Sequence, residues 1–348
     1  MSYTNGLDKP SDYFDTITYT GTGSNNQQYY NLSSQADLIW CKQRSTANNH
    51  FIFDTVRGTT KALFSNLTNA EGTYNSTYVN ALDSTSITWG SSTNINESGQ
   101  TYVNWLWQGG GTAVSNTQGS ITSSVSANTT AGFSIVSYTG TGASATVGHG
   151  LSQAPAIVIV KRRSNIGEWI VYSSVLGSGN GLKLNTTGAS FVADATVWNS
   201  TNPTSSVFSI GSAVDLNASG NTYISYCFAE KKGFSKFGSY TGNGSATDGT
   251  FVYTGFKPAF IMLKVTSVAN RWVILDNQRP TYNPPTTEIN PNDSVAEFGT
   301  TANMDLLSNG FKLRRIGDVF NTSGYTYIYM AFAENPFTTS TGIPATAR

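Results

Sequence analysis

TYTGTG at residues 18–23, SYTGTG at 137–142 and SYTGNG at 239–244 are one phrase written three times. Glycines at that spacing suit a phosphate-cradling loop, a tight turn, or the punctuation of a repeat. Gly140, Gly142 and Ala145 match G-x-G-x-x-A, but that motif needs a strand running into a helix whose N-terminus holds the anion. Gly148, Gly150 and Pro155 follow at once, so no helix starts there, and the third copy breaks the pattern. The turn reading explains more. Glycine tolerates positive φ, so Tyr-Thr-Gly-x-Gly reads as a strand entering a sharp turn or bulge.

The surroundings repeat in the same order. Downstream of each phrase comes an apolar run closed by lysine: DLIWCK to Lys42, AIVIVK to Lys161, AFIMLK to Lys264. An aromatic-led run follows, FIFD from Phe51, WIVY from Trp169 and WVIL from Trp272. Each copy ends in TYVNWLW, TYISYCF or TYIYMAF, led by Tyr102, Tyr223 and Tyr327 and preceded by Gly99, Gly220 and Gly324. Self-similarity at a period of about one hundred residues marks tandem modules.

The chemistry of these segments is that of β-strands. In TYISYCF, Tyr223, Ser225 and Cys227 alternate with Ile224, Tyr226 and Phe228, as on the two faces of a strand. The lysine-ended runs are continuous, β-branched and short, which fits a strand buried on both faces. Turn signals such as Gly179-Asn180-Gly181, Asn290-Pro291-Asn292 and Asn309-Gly310 separate them. The expected fold is all-β: three tandem β-sandwich or jelly-roll-like modules. The expected boundaries are 1–113, 114–232 and 233–337, with a C-terminal tail at 338–348. Residues 114–131 are either a linker or the first strand of module 2. The tight AEKKGFSKF joint predicts that modules 2 and 3 pack as a pair, leaving module 1 more independent.

Composition narrows the function classes. Lys+Arg and Asp+Glu are 20 each and charged residues make up only 11% of 348 residues. No basic face is implied, so nucleic acid is not an expected partner. No apolar run is long enough to span a membrane, so membrane insertion is not expected either. The opening MSYTNGLDKPSDYF lacks the basic and apolar regions of a secretory leader. Sequons at Asn31, Asn66, Asn75 and Asn185 then only reflect an Asn/Ser/Thr bias. Cys41 and Cys227 fall at non-corresponding places, which excludes a bridge repeated in each module, and they read as small core residues.

Chemical motifs are sparse. His50 and His149 are the two histidines and are not equivalent between modules, so no metal cluster and no cofactor is expected. Serines abound, but no G-x-S-x-G elbow occurs. Glu230 and Glu334, each in FAE, are the candidates for the carboxylate pair of a glycosidase, against the plainer reading of strand-end charges. Asp54 and Asp276 likewise read as structural. The Lys161–Arg163 cluster is read as charge that stops an apolar run, with phosphate or anionic glycan contact as the alternative. Trp169 and Trp272 recur and read as core, whereas Trp89 and Trp198 lie in turn-rich stretches and are the candidates for stacking on a sugar face. No catalytic residue is assigned.

VSANTTAGFSIVSYTGTG (125–142), GHGLSQAPAIVIVKRR (148–163) and YISYCFAEKKGFSKFGSYTGNG (223–244) resemble a module of unknown function common in tailed phages, especially marine and cyanobacterial ones. MSYTNGLDKPSDYF and TGIPATAR are similar to the ends of virion proteins from such phages. Module 1 departs, with NLSSQADLIW in place of a Gly-Leu-x-x-x-Pro step and WLWQGG in place of FAE. The resemblance implies a non-enzymatic virion protein made in the host cytoplasm, a tail fibre or capsid-surface decoration. Its expected partners are other virion proteins, further copies of itself and host surface polysaccharide. A carbohydrate-binding adhesin is the second reading and a polysaccharide depolymerase the third.

Overall fold

The computed structural model describes residues 6–29, 33–280, 282–299 and 303–343, and it is nearly all β, with three one-turn α-helices and one 3-10 turn among these residues. Asn31 and residues 344–348 of the tail lie outside the described residues. Each repeat is built on four antiparallel strands. An opening strand (Phe14–Thr20, Phe133–Thr139, Ser235–Thr241) pairs with a closing strand (Thr101–Trp107, Thr222–Phe228, Thr326–Pro336). On its other side the closing strand pairs with the lysine strand (Leu38–Gln43, Ile157–Arg162, Phe256–Val265). Next comes an inner strand (His50–Asp54, Trp169–Ser173, Val273–Asp276). The register is common to all three: Tyr19 faces Tyr102, Tyr138 faces Tyr223, and Tyr240 faces Tyr327.

A smaller sheet covers one face of each main sheet, and strand alternation decides what each face buries. In repeat 2, Val158 and Val160 of the lysine strand join Val147, Phe208 and Ile210 of the small sheet in one apolar cluster. The other face, with Ile157 and Ile159, belongs to a second cluster that draws residues from all three repeats. Ile39 and Cys41 against Leu38 and Trp40 divide in the same way, as do Ile261 and Leu263 against Phe260 and Met262. A continuous apolar run therefore serves two cores at once.

The shared core closes on a pseudo-threefold axis. Trp107, Phe228 and Phe332 hold equivalent places on the three closing strands. Their ring centroids form a triangle with sides of 6.1, 6.0 and 5.7 Å. Phe14 stacks on Phe332 at 4.8 Å, and Phe260 meets Trp105 and Trp107 at 5.9 and 5.8 Å. The expectation that module 1 stands apart is therefore corrected: its Trp105 and Trp107 lie at the centre of the molecule. The short joint between repeats 2 and 3 measured chain connectivity, whereas packing follows the apolar faces.

Residues 114–131 contribute two strands, Val114–Asn116 and Ser123–Asn128, and the second pairs with the opening strand of repeat 2. The repeated phrase sits at the far end of each opening strand. Gly23, Gly142 and Gly244 have φ of 72, 80 and 70°, values that disfavour any side chain. Gly21, Gly140 and Gly242 are needed for another reason: a Cβ there would press on the backbone oxygens of Glu97, Ala218 and Thr322.

Candidate functional site

The densest polar chemistry lies in the seams between repeats, and all three seams follow one plan. Lys161 Nζ donates to Thr68 O of repeat 1 at 3.0 Å, and also to Arg162 O and Gly167 O. Lys264 Nζ donates to Thr187 O of repeat 2 at 3.1 Å and to Asn270 O at 2.6 Å. Lys42 Nζ reaches Ser294 O of repeat 3 at 3.4 Å and Gln43 O at 2.7 Å. Each repeat thus holds the next, and the third closes onto the first. The reading of these lysines as charges that merely stop an apolar run is corrected, since all three are 0% exposed. An ammonium carries three donors; carbonyl oxygens of two repeats take all three of Lys161 and two each of Lys264 and Lys42. Burial pushes each amine down to about 8.

A ring N–H crosses each seam beside the lysine. Trp169 Nε1 donates to Phe64 O at 2.8 Å and Trp272 Nε1 to Lys183 O at 3.0 Å. His50 occupies the same register position in repeat 1, opposite Lys42 as Trp169 is opposite Lys161. Its Nδ1 accepts from Trp40 Nε1 at 2.9 Å, which leaves Nε2–H to donate to Asn290 O at 3.0 Å. Burial first, then Lys42, holds His50 well below the usual imidazole range, so it is neutral. Its backbone N–H and those of Trp169 and Trp272 bond the side-chain oxygens of Asn66, Asn185 and Asn292.

The seams differ in charge. Arg163 grips Glu71 at 2.8 and 3.0 Å, and Arg44 grips Glu297 at 2.9 Å through two bonds. Behind each lies a buried arginine, Arg57 on Asp54 (2.5 Å) and Arg279 on Asp276 (2.6 Å). Each aspartate also accepts a bond from the neighbouring repeat: Tyr226 Oη on Asp54 at 2.7 Å, Trp105 Nε1 on Asp276 at 3.0 Å. Burial raises the Glu71 carboxyl, but Arg163 and Arg57 outweigh it and hold the group below its ordinary value. The seam between repeats 2 and 3 has Ser190 Oγ on Thr266 O at 3.1 Å instead, with Ser173 in the aspartate position and Met330 where Tyr226 and Trp105 stand. The ionic joints fix geometry, while the apolar faces supply most of the driving force.

The predicted ligand residues lie elsewhere than expected. Trp89 and Trp198 are 0% and 1% exposed, so neither offers a face to a sugar; this corrects the stacking assignment. Trp89 stacks on Tyr19 at 5.6 Å and Trp198 meets Tyr172 edge-on at 5.7 Å. Turn-rich sequence around a tryptophan marks a short strand or cap over a core as readily as a surface loop. His149 is buried, with Nε2 on Thr204 O at 3.1 Å. Cys41 and Cys227 are free and buried, their thiols pushed up to about 12 by burial. Among the described residues no group of three His, Cys, Asp or Glu could hold a metal ion, and no helix is long and apolar enough to cross a membrane.

Glu230, at the end of repeat 2, and Glu334, in repeat 3, line separate clefts. Glu230 pairs with Lys236 at 2.6 Å in a cleft of about 490 Å³ walled by Tyr253 and Phe337. Glu334 pairs with Lys257 at 2.8 Å in a cleft of about 370 Å³ lined by Asn277, Gln278, Tyr282, Asn283 and Leu306.

Residues 9–336 match the model of a domain of unknown function, DUF7483. The chain belongs to the DUF7483 family. The matched span runs through all three repeats. No curated protein matches this DUF7483 chain significantly.

Proposed function

We propose that this DUF7483 protein is a structural component of a tailed-phage virion, a tail fibre or capsid-surface decoration that assembles with other virion proteins and further copies of itself and contacts host surface glycans. The observation that carries the reading is the closed ring of three β repeats sharing one core and locked by three seams. Such a body resists unfolding without disulfides, as a particle exposed outside cells requires. The resemblance of residues 125–142, 148–163 and 223–244 to a tailed-phage module points the same way. So does a surface whose polarity is hydroxyl and amide rather than charge, with charged residues at 11%. A carbohydrate-binding adhesin is the second reading, favoured by the Tyr282 cleft in repeat 3.

The test is mass spectrometry and cryo-electron microscopy of purified particles of the phage that encodes the chain. The expected result is stoichiometric protein in the particles and density for an all-β body with pseudo-threefold symmetry on head or tail. Abundant protein in infected lysate but none in purified particles would overturn the proposal.

A further inference from the structure

The three repeats serve as one another's controls, and one feature is confined to the third. After the inner strand, repeats 1 and 2 reach the next strand through the short connections 55–60 and 174–179, at Lys61 and Asn180. Repeat 3 instead runs through a longer connection from Asn277 before pairing resumes at Thr287. This excursion builds one wall of the 370 Å³ cleft. Asn283 anchors it: its Nδ2 donates to Leu306 O at 2.9 Å, and Leu306 N donates to its Oδ1 at 3.0 Å. A side-chain amide there mimics a strand and ties the connection to the small sheet.

The lining has the chemistry that recognises a sugar. Tyr282 is 81% exposed, with a ring available to lie against the C–H face of a pyranose. Pro280, Pro285 and Leu306 add apolar wall. Asn277 Nδ2 donates to Glu334 Oε2 at 2.8 Å, while Asn277 Oδ1 is buried with no hydrogen-bond partner among the described residues. The Asn277–Glu334 bond fixes the carboxylate, 31% exposed, at the cleft wall, where it can accept a hydrogen bond from a sugar hydroxyl. Gln278 supplies a second amide. Lys257 and Glu334 neutralise each other at 2.8 Å, so the cleft selects no charged ligand. Its volume falls within the roughly 300–1,000 Å³ of small-molecule sites.

We propose that the cleft between Tyr282, Asn277, Gln278 and the Lys257–Glu334 pair is a binding site for a neutral hexose or N-acetylhexosamine unit of a surface glycan. This rests on the glycan-contact part of the function proposed above, and it moves that contact from the tryptophans to repeat 3. Glu334 is the one carboxylate among the described lining residues. Its role is to accept a hydroxyl hydrogen bond, and no bond of the sugar is broken.

The test is saturation-transfer NMR of the full chain with free glucose, galactose, mannose and N-acetylglucosamine, then calorimetric titration of whichever sugar responds. At least one sugar is expected to receive saturation. Tyr282→Ala and Asn277→Ala should each weaken its affinity about tenfold with the thermal midpoint unchanged. No transfer to any of the four sugars, or equal affinity in both variants, would overturn the site. Particles that contain the protein while no sugar binds would sink this inference alone; a sugar-binding chain missing from particles would sink the virion reading alone.

Discussion

At the residue scale, the repeated phrase is a knot. Tyr138 and Tyr223 stack at 5.1 Å, as do Tyr19 with Tyr102 at 5.0 Å and Tyr240 with Tyr327 at 4.9 Å. Tyr138 Oη donates to Leu216 O at 2.8 Å, and Tyr223 Oη accepts from Ala218 N and donates to Val214 O, both at 2.7 Å. Asn217 completes the knot: its Oδ1 accepts from Thr141 N at 2.7 Å, and its Nδ2 donates to Ala143 O and Gly211 O at 2.6 and 2.8 Å. Asn96 does the same in repeat 1, and Asn321 accepts from Asn243 N and donates to Ser245 O and to the Asn243 side chain. The two glycines of the phrase therefore fail differently when substituted. Gly140→Ala should cost about 1–3 kcal/mol through crowding against Ala218 O, and Gly142→Ala about 1–2 kcal/mol through its positive φ. Gly179→Ala, with open space and no special φ, should stay within about 0.5 kcal/mol. Guanidinium unfolding of the three variants checks the ranking. The glycines were legible because they recur, whereas the asparagines were missed although Asn-x-Ser-Gly recurs before each closing strand at 96–99, 217–220 and 321–324. Most of their partners are backbone atoms, which leave no trace in residue type.

At the scale of elements, the lysine strand is the part that sequence and structure describe most differently. Its apolar run was legible as a strand buried on both faces. The lysine at its end was not, because a terminal charge is normally solvated, and burial becomes tolerable only when carbonyls of its own and the neighbouring repeat converge on it. Burial also sets a pH dependence. Below about pH 8 these amines are charged in the folded and unfolded chain alike, and the folded state bears the desolvation penalty in full. Between about 8 and the unfolded value of 10.5, the folded chain loses its protons first, so the unfolded chain binds more. Stability contributed by these groups therefore rises with pH through that window, by up to about 1.4 kcal/mol per pH unit for each lysine. Lys161→Met removes one lysine's share, so the slope of unfolding free energy between pH 8 and 10 should be smaller in the variant. An identical slope in the two proteins would show that Lys161 does not titrate in that range.

At the scale of the whole molecule, three β repeats were legible in sequence and their closure was not. The decisive sign was present: lysine strands apolar on both faces need a layer beyond their own small sheet, and each repeat supplies that layer to the others. Each repeat has one core of its own beneath its small sheet, but Trp107, Phe228 and Phe332 meeting on one axis show that its second apolar face is covered only by the other repeats. The cleft of repeat 3 was likewise illegible, since its lining comes from four stretches separated in sequence and its tyrosine lies in a Pro- and Asn-rich turn. A shared core and three linked seams require the repeats to unfold together. Scanning calorimetry of the full chain tests this most directly. The account predicts a single transition whose calorimetric and van't Hoff enthalpies agree. Two or three resolved transitions, or an early melt of residues 9–107 with the rest still folded, would contradict it.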